Sequence, residues 1–424
     1  MDLKKQPTVC VIGGSAAGMA AAIYAARGGA RVILIDGNEK LGRKIYATGN
    51  GKCNFLNIDQ DRRHFHTSGD PAWIAEALDT LDPDFVLQFF NELGLPAVVR
   101  HESYYYPSNE SAASVVSCLE DEIQRLQVQV ILADRMRTLT AQNGRYNVLL
   151  RSGLAIEADR VILAMGGSAS PKFGSDGSGY YYARNFGHTI EEALPALCPL
   201  KLEESGAVFS VWAGTRVSDA CVTLLADGLP VCSERGEILF TNYGVSGIPV
   251  FQISGRAAIA IEKKQKVSIE IDVALDIEPT DAAEVYSEWE PYFGDRTVAD
   301  QFSRIFPAKL IDALKSIPDK NKKMSDIGPA AFGKALDSLK HIRFRVFDTM
   351  GFEHAQVSSG GVCIAEIDPR TMESRLAPGL YLAGELLDVY GDCGGYNLQF
   401  AFTTGAIAGR SAAQRFADAE EDAL

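Results

Sequence analysis

Basic charge is in short supply. Lys and Arg number 41 against 55 Asp and Glu, a formal net charge of −14 over 424 residues. A protein that tracks nucleic acid or an anionic membrane carries the opposite excess, so neither partner is expected. No two of the eight cysteines (10, 53, 118, 198, 221, 232, 363 and 393) are spaced C-x-x-C. A zinc knuckle or dithiol redox centre therefore has no support. Unpaired cysteines with mostly apolar flanks fit a reduced, cytoplasmic setting. His64 and His66 form an H-x-H with no third ligand nearby in sequence, so no metal is expected. His101, His188, His341 and His354 are isolated. Tandem repeats and low-complexity stretches are absent. No run is long and apolar enough to span a bilayer. Val9 to Ala26 carries no charge and follows Lys4 and Lys5, a signal-peptide-like arrangement. It is mostly Ala and Gly, however, and leads straight into a strand-like segment.

What remains is globular in character. Hydrophobic residues make up 46% and charged residues 23%, close to the averages of roughly 45–50% and 25%. At roughly 150 residues per domain the length predicts two to three domains. The excess is in glycine, 39 residues.

The first cluster of glycines has a clear context. Thr8 to Ile12 reads as a strand buried on both faces, followed by Gly13-Gly14-Ser15-Ala16-Ala17-Gly18. Met19 to Arg27 is Ala-rich and helix-forming, Gly28-Gly29 stops it, and Arg31 to Ile35 is a second strand ending at Asp36. Strand, glycine turn, helix, strand and acid is the context a dinucleotide fingerprint requires. Small residues let backbone N–H groups and the helix N-terminus approach a pyrophosphate. Asp36 suits ribose hydroxyls. The middle glycine of G-x-G-x-x-G is replaced by Ser15.

Residues 39–57 then stay polar and Gly-rich, with Arg43, Lys44, Thr48, Gly49, Asn50, Gly51, Lys52 and Asn54 packed together. Directly after the ribose acid, such a loop can offer many donors to a heteroaromatic ring and its phosphates. The theme returns twice. Ala158 to Ala164 is another buried strand closed by Met165-Gly166-Gly167, comparable to a turn flavoproteins carry, and Gly174 to Gly179 is a further loop of small residues. Near the end, Gly379 to Glu385 is strand then turn, Gly391 to Asn397 is a loop, and Leu398 to Ala417 is an Ala-rich amphipathic helix. The N-terminus of that helix can face the electron-rich edge of a reduced flavin. Met19, Met136 and Met165 read as core.

Between about 195 and 345 the pattern changes. Residues 217–241 alternate around Ala226-Asp227-Gly228, a hairpin signal. Lys266 to Val273 is another strand. Thr280 to Leu339 is helical, with Asp281 and Glu284 as a capping-box pair and Pro291, Pro307, Pro318 and Pro329 punctuating short helices.

Four segments resemble a known family. They are Val11 to Gly18, Gly42 to Phe55, Gly236 to Gly247, and Gly379 to Gln399. Together they are similar to the HI0933-like flavoproteins, also called BaiN/RdsA-type NAD(P)/FAD-dependent oxidoreductases, some labelled aminoacetone oxidases. The likeness covers nearly the whole chain. It implies an α/β fold: a glutathione-reductase-type Rossmann FAD-binding domain (1–193 and 346–424), an inserted β-barrel-like domain (194–275 and about 340–346) and an inserted helical domain (276–339). It implies FAD, with NAD(P)H as transient reductant, since no second dinucleotide fingerprint is visible.

The candidate cofactor contacts are then Gly13, Ser15, Ala16, Ala17, Gly18, Asp36, Gly37, Gly42, Arg43, Lys44, Thr48, Gly49, Asn50, Gly51, Lys52, Cys53, Asn54, Met136, Ala164, Gly166, Gly384, Glu385, Gly395, Tyr396, Asn397 and Leu398. Departures from the family pattern are Ser15 for glycine, Asp36 for glutamate, Lys52 for arginine and Asn242 for histidine. The first three keep small size, an acid and a cation. The fourth removes an ionisable group from the substrate side, where Asn242, Tyr243 and Tyr105 are placed.

Two chemistries follow. In the first, NAD(P)H reduces FAD and hydride passes to an activated C=C of a small-molecule, enone-like, steroid- or bile-acid-like substrate, with Tyr243, Tyr396 or Asp392 as candidate catalytic groups. In the alternative, an amine reduces FAD and oxygen reoxidises it, with Glu385 or Asp388 facing the cationic substrate. A non-enzymatic flavin-binding role in RNA or redox sensing is disfavoured, its RNA form by the acidic balance.

Overall fold

The computed structural model describes residues 6–82, 84–203, 211–277, 279–314 and 317–414. The chain divides into two units, Met1–Leu194 with Val357–Leu424, and Pro195–Gln356.

The first unit is built on a five-stranded sheet. Its strands run in the order Leu380–Leu382, Arg160–Leu163, Thr8–Ile12 (β1), Arg31–Ile35 (β2) and Gln129–Ile131, all parallel. Four of the five residues in β1 and in β2 are buried, the near-continuous burial a parallel sheet imposes. The helix Ala16–Arg27 (α1) starts three residues before its first large side chain, Met19, because Ala and Gly are accepted at its origin. Val9 to Ala26, the signal-like stretch, is thus the central strand and first helix of the sheet.

The C-terminal helix, Tyr396–Ala412, packs directly on α1. A Cβ on Gly405 would lie 2.2 Å from the Ala17 carbonyl oxygen, and one on Gly409 would lie 2.3 Å from that of Ala21. Only glycine permits that approach. Smaller pieces complete the unit: a three-stranded antiparallel sheet over 136–158, a strand pair of Phe65–His66 with Tyr390–Gly391, and a sheet ordered Leu56–Asn57, Tyr104–Pro107, Ala97–Arg100.

The second unit is a closed six-stranded antiparallel barrel with helices. The hairpin expected at Asp227-Gly228 is present, with φ of 51° and 83° at its two turn residues. Ile342–Thr349 pairs with both Val267–Asp272 and Leu200–Leu202, closing the barrel. That pairing keeps the strand in the second unit, and the chain returns to the first at Val357. Its alternation puts Ile342, Phe344 and Val346 inside with Ile269, Ile271 and Trp212. The helices among the described residues include Ile248–Glu262, Ala282–Phe293, Val298–Phe302, Ala308–Ala313 and Met324–Lys340. Two local expectations are corrected. The Asp281 side chain makes no capping bond and instead accepts from the Thr280 hydroxyl at 3.0 Å. Pro291 lies inside the last turn of its helix instead of ending it.

Together these elements make the Rossmann domain, inserted barrel and helices that the family resemblance implies.

Candidate functional site

The carboxyl end of β1 carries a turn in which Gly13 and Gly18 tolerate no side chain. Gly13 has φ of 107°, and a Cβ there would meet the Ala164 carbonyl oxygen at 2.3 Å. A Cβ on Gly18 would lie 1.7 Å from the Gly13 carbonyl oxygen, so strand and helix touch through backbone. Met19 N–H is bonded back to the Ser15 carbonyl at 2.8 Å. The N–H groups of Ala16, Ala17 and Gly18 precede the first turn's bonding and point out of the helix end. With the dipole behind them they form an anion cradle.

Asp36 has a role the sequence did not suggest. Its Oδ2 accepts from Gly14 N–H at 2.6 Å and its Oδ1 from Asn38 N–H at 2.7 Å. The acid staples the turn. Asn38 then accepts from Arg43 at 3.0 Å and donates to the Phe173 carbonyl at 3.1 Å. Beside it, the Arg135 side chain lies across Gly37 and pairs with Asp176 at 2.5 Å. Met136 is buried, and its carbonyl accepts from the Tyr182 hydroxyl at 2.6 Å.

The loop after Gly42 curls back on itself. Gly49, Asn50, Gly51 and Cys53 have φ of 54°, 54°, 84° and 58°, left-handed values that explain the run of Gly and Asn. Gly42 N–H bonds the Gly14 carbonyl at 2.7 Å and Thr48 Oγ1 donates to the Ile45 carbonyl at 2.6 Å. Lys44 Nζ pairs with Glu385 Oε2 at 2.5 Å and donates to the Ala169 carbonyl at 3.3 Å. Glu385 Oε1 accepts from Ser358 N–H at 3.0 Å. Gly167 lies against this group: a Cβ on it would be 3.0 Å from Glu385 Oε1 and 3.0 Å from the Tyr180 hydroxyl. Ser175 Oγ presses closer still on Gly166, 2.5 Å from where a Cβ would lie. Lys52 points outward to Glu110 at 2.6 Å. Cys53 is fully buried, and burial pushes its thiol up to about 12.

The third segment closes on the second. Gly384 has φ of 71°, and its N–H bonds Thr404 Oγ1 at 3.0 Å. Gly395, φ 100°, caps the C-terminal helix, and a Cβ there would lie 2.7 Å from Leu56 backbone. Asn57, buried, donates to the Gly394 carbonyl at 3.0 Å. Asn397 donates to the Gly391 carbonyl at 2.8 Å and accepts from Gly391 N–H at 2.8 Å. Leu398 is partly buried in the first turn of the helix. Asp392 bonds His64 at 2.9 Å and His66 at 2.7 Å. Asp388 is buried and accepts from Ser68 and Thr67; burial raises its carboxyl above the usual range.

Tyrosines divide by strand alternation. Tyr105 packs on the apolar core, while Tyr104 and Tyr106 lie against the Gly394 and Gly49 turns. Tyr396 is buried at the helix start, and burial holds its hydroxyl above the usual value. Asn242 and Tyr243 belong to the second unit. Asn242 is exposed, Tyr243 half-buried, and the Tyr243 carbonyl accepts from Leu202 N–H at 3.1 Å. Among the described residues no cluster of His, Cys, Asp or Glu could hold a metal, and no helix could cross a membrane.

The profile of a family described as the HI0933-like protein Rossmann domain matches residues 7–411. The chain belongs to this HI0933-like family. The 3-dehydro-bile acid delta(4,6)-reductase of Clostridium scindens is 40% identical over 409 residues, covering 96% of this chain and 98% of that protein. The ribosomal RNA dihydrouridine synthase of Escherichia coli is 28% identical over 398 residues, 93% of this chain and 95% of that one. Among solved structures, a 3-ketosteroid-delta4-(5alpha)-dehydrogenase from Rhodococcus jostii superposes with a TM-score of 0.50 at 15% identity, covering 98% and 99% of the two chains. At that identity the likeness shows a shared fold.

The residues present fit FAD. The glycine turn and helix end suit a pyrophosphate. Asn54 Oδ1 is buried with no hydrogen-bond partner among the described residues, an acceptor that a ligand N–H or hydroxyl satisfies. Three chain segments far apart in sequence meet around Lys44, Glu385 and Gly167.

Proposed function

We propose that the protein is an FAD-dependent reductase of carbon–carbon double bonds conjugated to a carbonyl, using NAD(P)H as transient reductant and an enone-like steroid acid as substrate. The observation that carries this reading is the side-chain-free turn at Gly13, Gly14 and Gly18, stapled by Asp36 and joined to the 42–54 loop. A reductase of bile acids shares 40% of its residues with this chain. The more distant dihydrouridine synthases, by name, saturate a ring bond that is also conjugated to a carbonyl.

Bound FAD supplies the hydride chemistry. The chain's own residues hold and orient it. The N–H groups of Ala16 to Gly18 take the pyrophosphate. Asp36, with lone pairs left after Gly14 and Asn38, accepts from a ribose. Asn54 and the 49–54 backbone offer partners to the ring. Tyr396 and Tyr104, beside Gly394, keep their protons at neutral pH because burial disfavours the phenolate. Each is a candidate proton source for the carbon next to the hydride acceptor.

An amine oxidase needs a carboxylate free to meet a cationic substrate. Glu385 is paired with Lys44, and Asp388 is held by Ser68 and Thr67. That favours the reductase.

The test is anaerobic mixing with NADH or NADPH, following loss of the yellow flavin colour, then adding substrates. Bleaching by a nicotinamide and recovery with an enone bile acid is expected. Bleaching only by small amines would overturn the reading. Recovery with ribosomal RNA but no steroid would move the substrate to a uracil ring.

A further inference from the structure

His64, His66 and Asp392 form a group that no sequence motif links. The strand pair Phe65–His66 with Tyr390–Gly391 brings them together across 328 residues. Both Asp392 oxygens are engaged, Oδ2 by His64 Nδ1 at 2.9 Å and Oδ1 by His66 Nε2 at 2.7 Å. The other nitrogen of His64, Nε2, faces Asp59 Oδ2 at 3.0 Å. A neutral imidazole has one N–H, so carboxylates on both ring nitrogens are satisfied together only by the imidazolium. The His64 ring stacks on Tyr396, centroids 4.6 Å apart and planes 19° from parallel. Its backbone carbonyl accepts from Asp392 N–H at 2.8 Å. Side chain and backbone of one residue thus grip the segment Gly391–Tyr396 that precedes and starts the C-terminal helix.

We propose that His64 is a positioning residue: as an imidazolium bridging Asp59 and Asp392 it fixes the loop Gly391–Gly395, and losing its proton loosens that loop and its hold on FAD. The proposal rests on the FAD reading above. The titratable groups facing His64 are Asp59, Asp61 and Asp392, with His66 across the shared carboxylate and Tyr396 on its ring face. Burial alone would pull His64 down; the bonds to Asp392 and Asp59 outweigh it and hold it above 6.5. A group raised on folding contributes fully below its ordinary value and loses that contribution as pH rises through the raised one. The clamp therefore weakens on the alkaline side.

Two readouts test this. In apoprotein labelled at histidine, NMR should show His64, assigned by its loss in His64→Gln, titrating above an ordinary histidine. Amide exchange at Gly394 and Gly395 should accelerate over the same interval. In the FAD titration, the Kd from flavin fluorescence should rise about tenfold between about pH 6 and about pH 9. It should be weak and pH-independent in His64→Gln, and tight at high pH in His64→Arg, which keeps a permanent cation. A His64 that titrates at or below the ordinary value, or glycine amides indifferent to it, overturns the clamp. A raised His64 titration with coupled glycine amides, but no FAD binding at any pH, overturns the FAD reading and leaves the loop clamp standing.

Discussion

Lys44 Nζ lies 2.5 Å from Glu385 Oε2, a pair separated by 341 residues of sequence. The two side chains are only 20% and 17% exposed, so water screens them little. Glu385 also holds Ser358 N–H, so one carboxylate ties the 42–54 loop, the strand at 358 and the turn at 384. Glu385→Gln should cost about 1.5–3 kcal/mol of stability, the range for a charged hydrogen bond losing its partner. Urea unfolding of the apoprotein measures it, and faster FAD release should accompany it.

Gly18→Ala places a methyl 1.7 Å from the Gly13 carbonyl oxygen. Strand and helix must separate, and the variant should lose several kcal/mol and purify without flavin. Gly333→Ala is the contrast: its Cβ meets only Ala282 at an ordinary 3.5 Å within a helix. It should gain about 0.5–1 kcal/mol in thermal melts.

Burial raises the Cys10 and Cys53 thiols to about 12, and neither side chain reaches solvent. Thiolate is the reactive form, so both should resist iodoacetamide in the native protein near pH 8. Mass spectrometry should find them labelled only after denaturation; rapid native labelling of Cys53 would show that the 48–54 loop opens.

Asp388 responds to pH in the sense opposite to a salt-bridged acid. Its folded-state carboxyl is raised, first by burial, so the folded protein binds the proton more tightly than the unfolded chain. Stability from this residue falls as pH rises from the ordinary aspartate value of 3.8 toward the raised one. Asp388→Asn should flatten that part of the stability profile, read from melting temperatures across mildly acidic pH.

Much of the first unit was legible because its signals are local. Strand burial, small residues and the acid at 36 sit within 29 residues and impose one another through a single βαβ unit. The barrel hairpin was legible for the same reason: Asp-Gly at 227–228 accepts the positive φ it needs. What escaped depends on partners far along the chain. His188 reads as isolated, yet it bridges Glu366 at 2.9 Å and Ser374 at 2.8 Å. The H-x-H at 64–66 looks incomplete until Asp392 arrives from the other end. Asn38, Asn57 and Arg135 carry no motif at all, and only tertiary placement gives them work. The register of Tyr104, Tyr105 and Tyr106 needed the sheet's facing direction, which a run of three identical residues hides.

The glycine seam between α1 and the C-terminal helix has a consequence for synthesis. Gly405 and Gly409 cover Ala17 and Ala21 backbone, so α1 is sealed only by residues some 388 positions further along the chain. A nascent chain stalled or cut before residue 405 leaves that alanine face, and the glycine turn it follows, without its cover.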